Sequence, residues 1–216
     1  MKEALGYNSE DDGHFDVGEI LDSNGKAHNV EPDDWAIVNF DTRIVKHTDN
    51  DLRLIESDVA KAFPKPGQLT LPEESVVIGT QSLIACTGLL LLGPKWALVA
   101  HFQPGNLAVS CKGAFTAFLS EFSNNFVGGH AWIFHADYEN KKPVAADNKT
   151  KAGTDLVVIH QLISQLGLAE IRSLKYQAVE AHGDWGSNSE GSIMVDCTAH
   201  SSTKPIVYIH GFQQNY

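Results

Sequence analysis

Cysteine is scarce in this sequence, and its few copies are not arranged in pairs. The chain of 216 residues contains three, Cys86, Cys111 and Cys197, and no two of them form a C-x-x-C motif. An odd number of widely spaced cysteines argues against a disulfide scaffold and against a structural zinc site of the usual spacing. We therefore expect the protein to work in a reducing compartment, and the open question is whether any thiol is reactive.

Long hydrophobic runs and a surplus of positive charge are also missing. No segment approaches the roughly 18–20 apolar residues that cross a bilayer. The first residues, MKEALGYNSEDDGH, lack the apolar core of a cleaved secretory signal. The chain has 27 acidic and 16 basic residues and a formal net charge of −11. Nucleic acids and anionic membranes attract positive surfaces, so we expect neither as a partner.

The acidic residues are partly concentrated near the N-terminus, in the stretches SEDDGHFD and EPDD. Such stretches usually form solvated surface, and we expect them to keep the N-terminal segment in solution rather than to bind a ligand. Residues 1–34 are accordingly predicted to be a loop-rich segment. Residues 35–216 show no internal repeat and no linker, and we interpret them as one domain.

The segments of this domain alternate between strand and helix signals. Hydrophobic residues make up 43% of the chain and charged residues 20%, which suits a single well-filled core. The fold class predicted is α+β: a β-sandwich of mixed sheets flanked by helices, in a single domain. Strands are predicted at 35–40, 75–79, 86–92, 96–102, 130–137, 171–183, 192–197 and 205–211. Helices are predicted at 52–63, 108–122 and 154–166.

Two details of this pattern bear on a possible site. The uninterrupted apolar run Leu89–Leu92 predicts a strand that is covered on both faces. Thr154 or Asp155 is expected to cap the last helix, which leaves residues 138–153 as a polar loop. A loop of this length indicates a functional rim rather than a simple connector.

Cys86 and His101 stand at the two ends of the most apolar strand pair in the chain. The stretch is GTQSLIACTGLLLLGPKWALVAHFQPG, residues 79–105. If the Gly93-Pro94 turn closes an antiparallel pair, the two residues meet at the same edge of a sheet. A histidine within hydrogen-bond reach raises the thiolate fraction of a cysteine, so the pattern predicts a catalytic dyad. The alternative is a core thiol and a histidine on the rim.

Thr80 lies six residues before Cys86 and directly follows the predicted strand at 75–79. Its hydroxyl group is in a position to orient His101, which is the role of the third group in catalytic triads. The alternative is an ordinary threonine at a strand end. The other cysteines, Cys111 and Cys197, are interpreted as core residues.

The spacing of Thr80, Cys86 and His101, with the sequence AHFQP around the histidine, resembles the catalytic core of the glutamine deamidase superfamily. That superfamily includes the chemoreceptor glutamine deamidases, the cytotoxic necrotizing factors and the Burkholderia lethal factor. The resemblance extends over residues 75–210 through the order of helices and strands, and the length is most like that of the lethal factor. The residues Leu83-Ile84-Ala85 stand where the family usually has serine and glycine before the cysteine.

The resemblance implies a protein-glutamine deamidase with Cys86 as nucleophile, His101 as base and Thr80 as the orienting residue. Such an enzyme converts a glutamine of a partner protein, for example a host translation factor or GTPase, to glutamate through a thioester. It needs no metal and no cofactor. The resemblance further implies a monomeric bacterial toxin or effector, made in the bacterial cytoplasm and delivered into the host cytosol.

Two other interpretations stay open. One is another cysteine hydrolase, such as a cysteine peptidase or a transglutaminase. Papain-like enzymes place the cysteine at a helix N-terminus with the histidine far downstream, whereas Cys86 begins a predicted strand. The other is a non-catalytic binding module of the same fold.

Overall fold

A computed structural model of the chain describes residues 27–41, 45–47, 77–80, 83, 85–137, 146–177, 191–197, 205–210 and 212–216. The predicted helix at 52–63 lies outside the described residues, and so does the N-terminal part of the predicted loop-rich segment, residues 1–26. The described residues confirm the predicted fold class, a single α+β domain of mixed sheets and helices. No helix among them is long and apolar enough to span a membrane.

Strands predominate over helices in the described part of the chain. The strands are β1 (Ala27–Asn29), β2 (Asp34–Asn39), β3 (Val45–His47), β4 (Val77–Thr80), β5 (Thr87–Leu92), β6 (Trp96–Phe102), β7 (His130–Asp137), β8 (Glu170–Gln177), β9 (Ile193–Asp196), β10 (Ile206–Ile209) and β11 (Phe212–Gln213). The helices are α1 (Lys112–Phe122) and α2 (Ala146–Ile163), and α1 lies between a π-helical turn (Leu107–Cys111) and a 3-10 turn (Ser123–Phe126).

The strands form two mixed sheets. The larger sheet has six strands in the order β3-β2-β6-β5-β7-β8, and only its β7–β8 pair is parallel. The smaller sheet has five strands in the order β1-β4-β9-β10-β11, and only its β1–β4 pair is parallel. Apolar side chains from both sheets, such as Ile78 of β4 and Leu90 of β5, share one cluster, which we call the inter-sheet core.

A second apolar cluster, the outer core, lies on the opposite face of the six-stranded sheet. It combines strand residues such as Leu89 with Phe115 of α1 and Ile159 of α2. Strand β5 contributes alternate leucines to the two cores, because successive side chains of a strand point to opposite faces. The prediction that this strand is covered on both faces is therefore confirmed.

The turn between β5 and β6 lies where the sequence predicts it. Strand β5 ends at Leu92 and β6 begins at Trp96, with the Gly93-Pro94 pair between them. The Gly93 N–H donates to the Trp96 carbonyl over 2.8 Å, and the two strands pair antiparallel along their length.

Two sequence expectations about this architecture are wrong. Helix α2 begins at Ala146, so the predicted loop at 138–153 is helical in its second half. The ion pair between Asp147 and Lys151, one turn apart, supports this early start. Consequently Asp155 is not a helix cap; it lies inside the helix and is fully buried. Within the predicted loop-rich N-terminal segment, Ala27–Asn29 form β1, a strand too short to leave a pattern in the sequence.

Candidate active site

Thr80 and His101 come from different sheets and meet between them. Thr80 is the last residue of β4, in the five-stranded sheet, and its neighbour on that face, Ile78, belongs to the inter-sheet core. His101 lies near the end of β6, in the six-stranded sheet, on the same face as Val99 of the inter-sheet core. The Thr80 Oγ1 and the His101 Nδ1 are 2.8 Å apart, so the expected contact between them is present.

The hydroxyl group of Thr80 determines which nitrogen of His101 carries the proton. Thr80 Oγ1 donates its hydrogen to the Val30 carbonyl over 2.7 Å, and a carbonyl oxygen can only accept. The hydroxyl has a single hydrogen, so its oxygen accepts from the Nδ1–H of His101. In the neutral imidazole one nitrogen donates and the other accepts. Nε2 is therefore left without a hydrogen and with a free lone pair.

His101 is held neutral in this position. Only 2% of the residue is exposed. Burial lowers the pKa of the imidazole from 6.5 to about 4, although the main chain of Val30 and the charge of Asp33 act in the opposite direction. The Nε2 atom is buried and has no hydrogen-bond partner among the residues that the structure describes. A buried acceptor without a partner is costly, and such atoms are expected where chemistry requires them.

Cys86 is placed on the same side of the sheet as His101. The register pairs Gly88 of β5 directly with His101, and Cys86 comes two residues earlier, so it is a diagonal neighbour. Diagonal neighbours of an antiparallel pair are about 7–8 Å apart at the backbone. Cys86 is half-buried and packs against the inter-sheet core. Gly88 has no side chain, and a Cβ atom there would lie only 2.8 Å from Leu83 Cδ1, so this glycine allows the two sheets to pack closely beside the site.

The thiol of Cys86 is neutral in this environment. Burial raises its pKa to about 11, and the negative charges of Asp33 and Asp155 add to the effect. Both groups are thus neutral, and no hydrogen bond joins Cys86 to His101 in the described part of the chain, so the expected direct contact between them is not formed. A proton must pass from Cys86 to His101 before the sulfur can act as a nucleophile.

The main chain at Cys86 is held by a residue that the sequence did not indicate. The Tyr176 hydroxyl, on β8, donates to the Cys86 carbonyl over 2.5 Å. Tyr176 is buried in the inter-sheet core. Strand β8 is brought near Cys86 by its parallel pairing with β7. No sequence pattern around either residue therefore connects Tyr176 with Cys86.

The loop between β1 and β2 holds both His101 and Thr80, which corrects the expectation for the EPDD stretch. The Asp33 N–H donates to the His101 carbonyl over 2.7 Å, and the Val30 carbonyl accepts from Thr80. Asp33 has a positive φ of 69°, a conformation that is uncommon for residues other than glycine. The acidic residue therefore has a structural part in the site, because the tight turn brings its main chain to β6.

Two carboxylates also anchor the chain that follows His101. Asp33 accepts from the Gln103 N–H over 2.9 Å and from the Asn106 side-chain amide over 2.7 Å. Asp155 of α2 accepts from the Gly105 N–H over 2.6 Å and from the Ala108 N–H over 2.9 Å. Burial raises the pKa of Asp155, and its hydrogen bonds with these two N–H groups oppose that shift. The loop after the histidine is thus fixed by the β1–β2 loop and by helix α2 together.

Within the described part of the chain, no group of three or more histidine, cysteine, aspartate or glutamate side chains is arranged to hold a metal ion. No model of a protein family matches the chain. No curated protein matches it significantly.

Proposed function

We propose that this protein is a cysteine-dependent protein-glutamine deamidase. The observation that carries the proposal is the hydrogen-bond chain from His101 Nδ1 through Thr80 to Val30, which leaves Nε2 as a buried acceptor on the face of Cys86. The residues Thr80, Cys86 and His101 also carry the resemblance to the glutamine deamidase superfamily. The finer expectations, a bacterial effector acting on a host translation factor or GTPase, rest on that resemblance alone.

In the first half of the reaction, Cys86 attacks the side-chain carboxamide of a glutamine. The thiol proton moves to His101 Nε2, and the sulfur then forms a bond to the carboxamide carbon. Main-chain N–H groups stabilise the oxyanion that results. The carbon–nitrogen bond then breaks, the proton on Nε2 goes to the leaving nitrogen, and ammonia departs from a thioester.

In the second half, water hydrolyses the thioester. His101 Nε2 takes a proton from the water molecule as its oxygen binds the thioester carbon. When the carbon–sulfur bond breaks, that proton returns to the Cys86 sulfur and the product is glutamate. Throughout, the Nδ1–H bond to Thr80 keeps the imidazole in the orientation and tautomer that the proton transfers need.

The position of Cys86 favours a deamidase over a papain-like hydrolase. Papain-like cysteines stand at a helix N-terminus, where the helix dipole lowers the thiol pKa. Cys86 instead precedes strand β5, and burial raises its pKa. The thiol therefore depends on the histidine for its activation.

The decisive experiment compares Cys86→Ser with the wild type. Purified proteins are incubated with cell lysates, and released ammonia and the conversion of glutamine to glutamate in intact proteins are measured by mass spectrometry. We expect the variant to lose activity roughly a thousandfold or more with an unchanged melting temperature, because serine is nearly isosteric but much harder to ionise. Cys111→Ser, another half-buried cysteine, is the matched control and should stay active.

A non-catalytic binding module of the same fold is the second candidate, favoured by the neutral state of Cys86 and His101. If Cys86 were only a core thiol, the serine variant would bury a hydroxyl group and lose about 1–3 kcal/mol of stability. Wild-type rates of glutamine conversion by Cys86→Ser would overturn the proposed function.

A further inference from the structure

A cavity of about 200 Å³ lies between the six-stranded sheet and helix α2. His135 and Lys175 line it from β7 and β8, and Lys149 lines it from α2. Ala152 and Leu156 of the helix provide an apolar wall. The cavity thus combines cationic groups at its rim with a surface suited to the methylene groups of a side chain.

The charge of this cavity is opposite to that of the molecule. The protein as a whole has a formal net charge of −11. Lys149 and Lys175 are exposed, and neither forms an ion pair or hydrogen bond with a residue in the part of the chain that the structure describes. Asp137 is the one carboxylate among the described lining residues. With two lysines and one aspartate, the described lining residues carry a formal net charge of +1, although the whole protein is strongly negative.

The cavity lies next to the candidate nucleophile, on the other face of the same sheet edge. The register pairs His135 of β7 directly with Thr87 of β5, which follows Cys86 in the chain. The side chains of Thr87 and His135 share one face, because each alternates with residues of the inter-sheet core. Cys86 and the cavity lie on opposite faces of the sheet, so a peptide whose glutamine reaches Cys86 passes around the ends of β5 and β7 to place a flanking side chain in the cavity.

From this placement we propose that the cavity of His135, Lys149 and Lys175 binds an acidic side chain of the substrate protein, close in sequence to the target glutamine. The identification of the bound protein as a substrate rests on the proposed function, whereas the binding of an acidic peptide is independent of it. The lysines attract the carboxylate, and the apolar wall of Ala152 and Leu156 covers the methylene groups of a glutamate. The site would select acidic substrates at the step of binding.

The test uses two blocked octapeptides that contain one glutamine and differ only in flanking residues, glutamates in one and serines in the other. Binding to full-length Cys86→Ala is followed by amide and imidazole NMR signals at low ionic strength, so that no turnover occurs. We expect the acidic peptide to bind about tenfold more tightly and to shift the signals of His135 and Lys175. The combined variant Lys149→Gln with Lys175→Gln should abolish this preference.

The control variant is Lys95→Gln, in the turn at the opposite end of the β5–β6 pair, where the side chain is 65% exposed and paired with Asp41. The Lys95→Gln variant should bind the acidic peptide more tightly than the serine peptide by the same factor as the protein without this substitution. Equal binding of both peptides, no binding of either, or a preference that survives the double lysine variant overturns the proposal. Ammonia release is measured in parallel with wild-type protein. A preserved binding preference without any ammonia from peptides or proteins counts against the deamidase function and leaves the acidic-side-chain site standing.

Discussion

A single hydroxyl group determines the protonation pattern of the candidate base. Thr80 donates its hydrogen to the Val30 carbonyl and accepts from His101, so that the imidazole presents a lone pair at Nε2. The arrangement resembles the use of aspartate in serine proteases, where the third residue orients the histidine. In this protein a neutral side chain supplies the orientation, and the imidazole is kept neutral by burial, which lowers its pKa.

Replacement of Thr80 tests this role at the residue scale. Thr80→Val has nearly the same shape but can neither accept from His101 nor donate to Val30. We expect kcat to fall by roughly 10- to 100-fold, because the tautomer and orientation of the base are no longer held. Thr80→Ser keeps the hydroxyl group and should retain most of the activity. The measurement is ammonia release at saturating substrate.

Thr80→Ser is the control that separates the loss of the hydrogen bonds from the change in packing. Both variants alter packing, but only the valine removes the hydrogen bonds. If Thr80→Ser loses as much kcat as Thr80→Val, packing rather than hydrogen bonding explains the effect, and Thr80 has no orienting role.

At the scale of elements, the hairpin of β5 and β6 is held at its far end by close packing against the 3-10 turn. A Cβ atom at Gly93 would collide with the main chain of Asn125. A backbone carbonyl cannot move aside as a flexible side chain does, so this glycine is required for the turn to lie where it does.

Two glycine substitutions separate this packing from helix propensity. Gly93→Ala should destabilise the protein by about 2–3 kcal/mol, because a backbone segment has to shift in a packed region. Gly113→Ala, in helix α1, meets nothing within 4 Å and should stabilise it by up to about 1 kcal/mol. Urea unfolding measures both. Equal stability of Gly93→Ala and the wild type would mean that the turn does not pack against Asn125.

The stability of the whole molecule should depend on the neutral state of His101. The folded protein holds its pKa at about 4, below the ordinary value of 6.5. As the pH falls below the ordinary value, the unfolded chain takes up a proton that the folded protein does not, so stability present at neutral pH is lost progressively. The loss is complete once the pH passes below the folded pKa.

We expect His101 to contribute a loss of about 2–3 kcal/mol between about pH 7 and pH 4.5, measured by urea unfolding at both values. His101→Gln cannot take up the proton. Between the same two pH values, its free energy of unfolding should therefore fall by about 2–3 kcal/mol less than that of the wild type. Carboxylates titrate in both proteins and cancel in the comparison. An equal loss for both proteins would indicate that His101 is protonated in the folded state.

The sequence alone determined the features that depend on local pattern. The Gly93-Pro94 turn and the strand covered on both faces follow from composition and spacing within about two dozen residues, and the same stretch supplies Thr80, Cys86 and His101 as candidates for a site. The α+β class follows from the alternation of strand and helix signals. Such features are readable because turn residues and hydrophobic periodicity report the local conformation directly.

Only the tertiary structure decided which distant residues complete the site. Val30 is 50 positions from Thr80, and Tyr176 is 90 positions from Cys86. The start of α2 and the buried position of Asp155 escaped the sequence pattern for a related reason, since a polar helix resembles a loop until its packing partners are known. These contacts arise when two mixed sheets close on one another, and no periodicity within a segment records which other segment it will face.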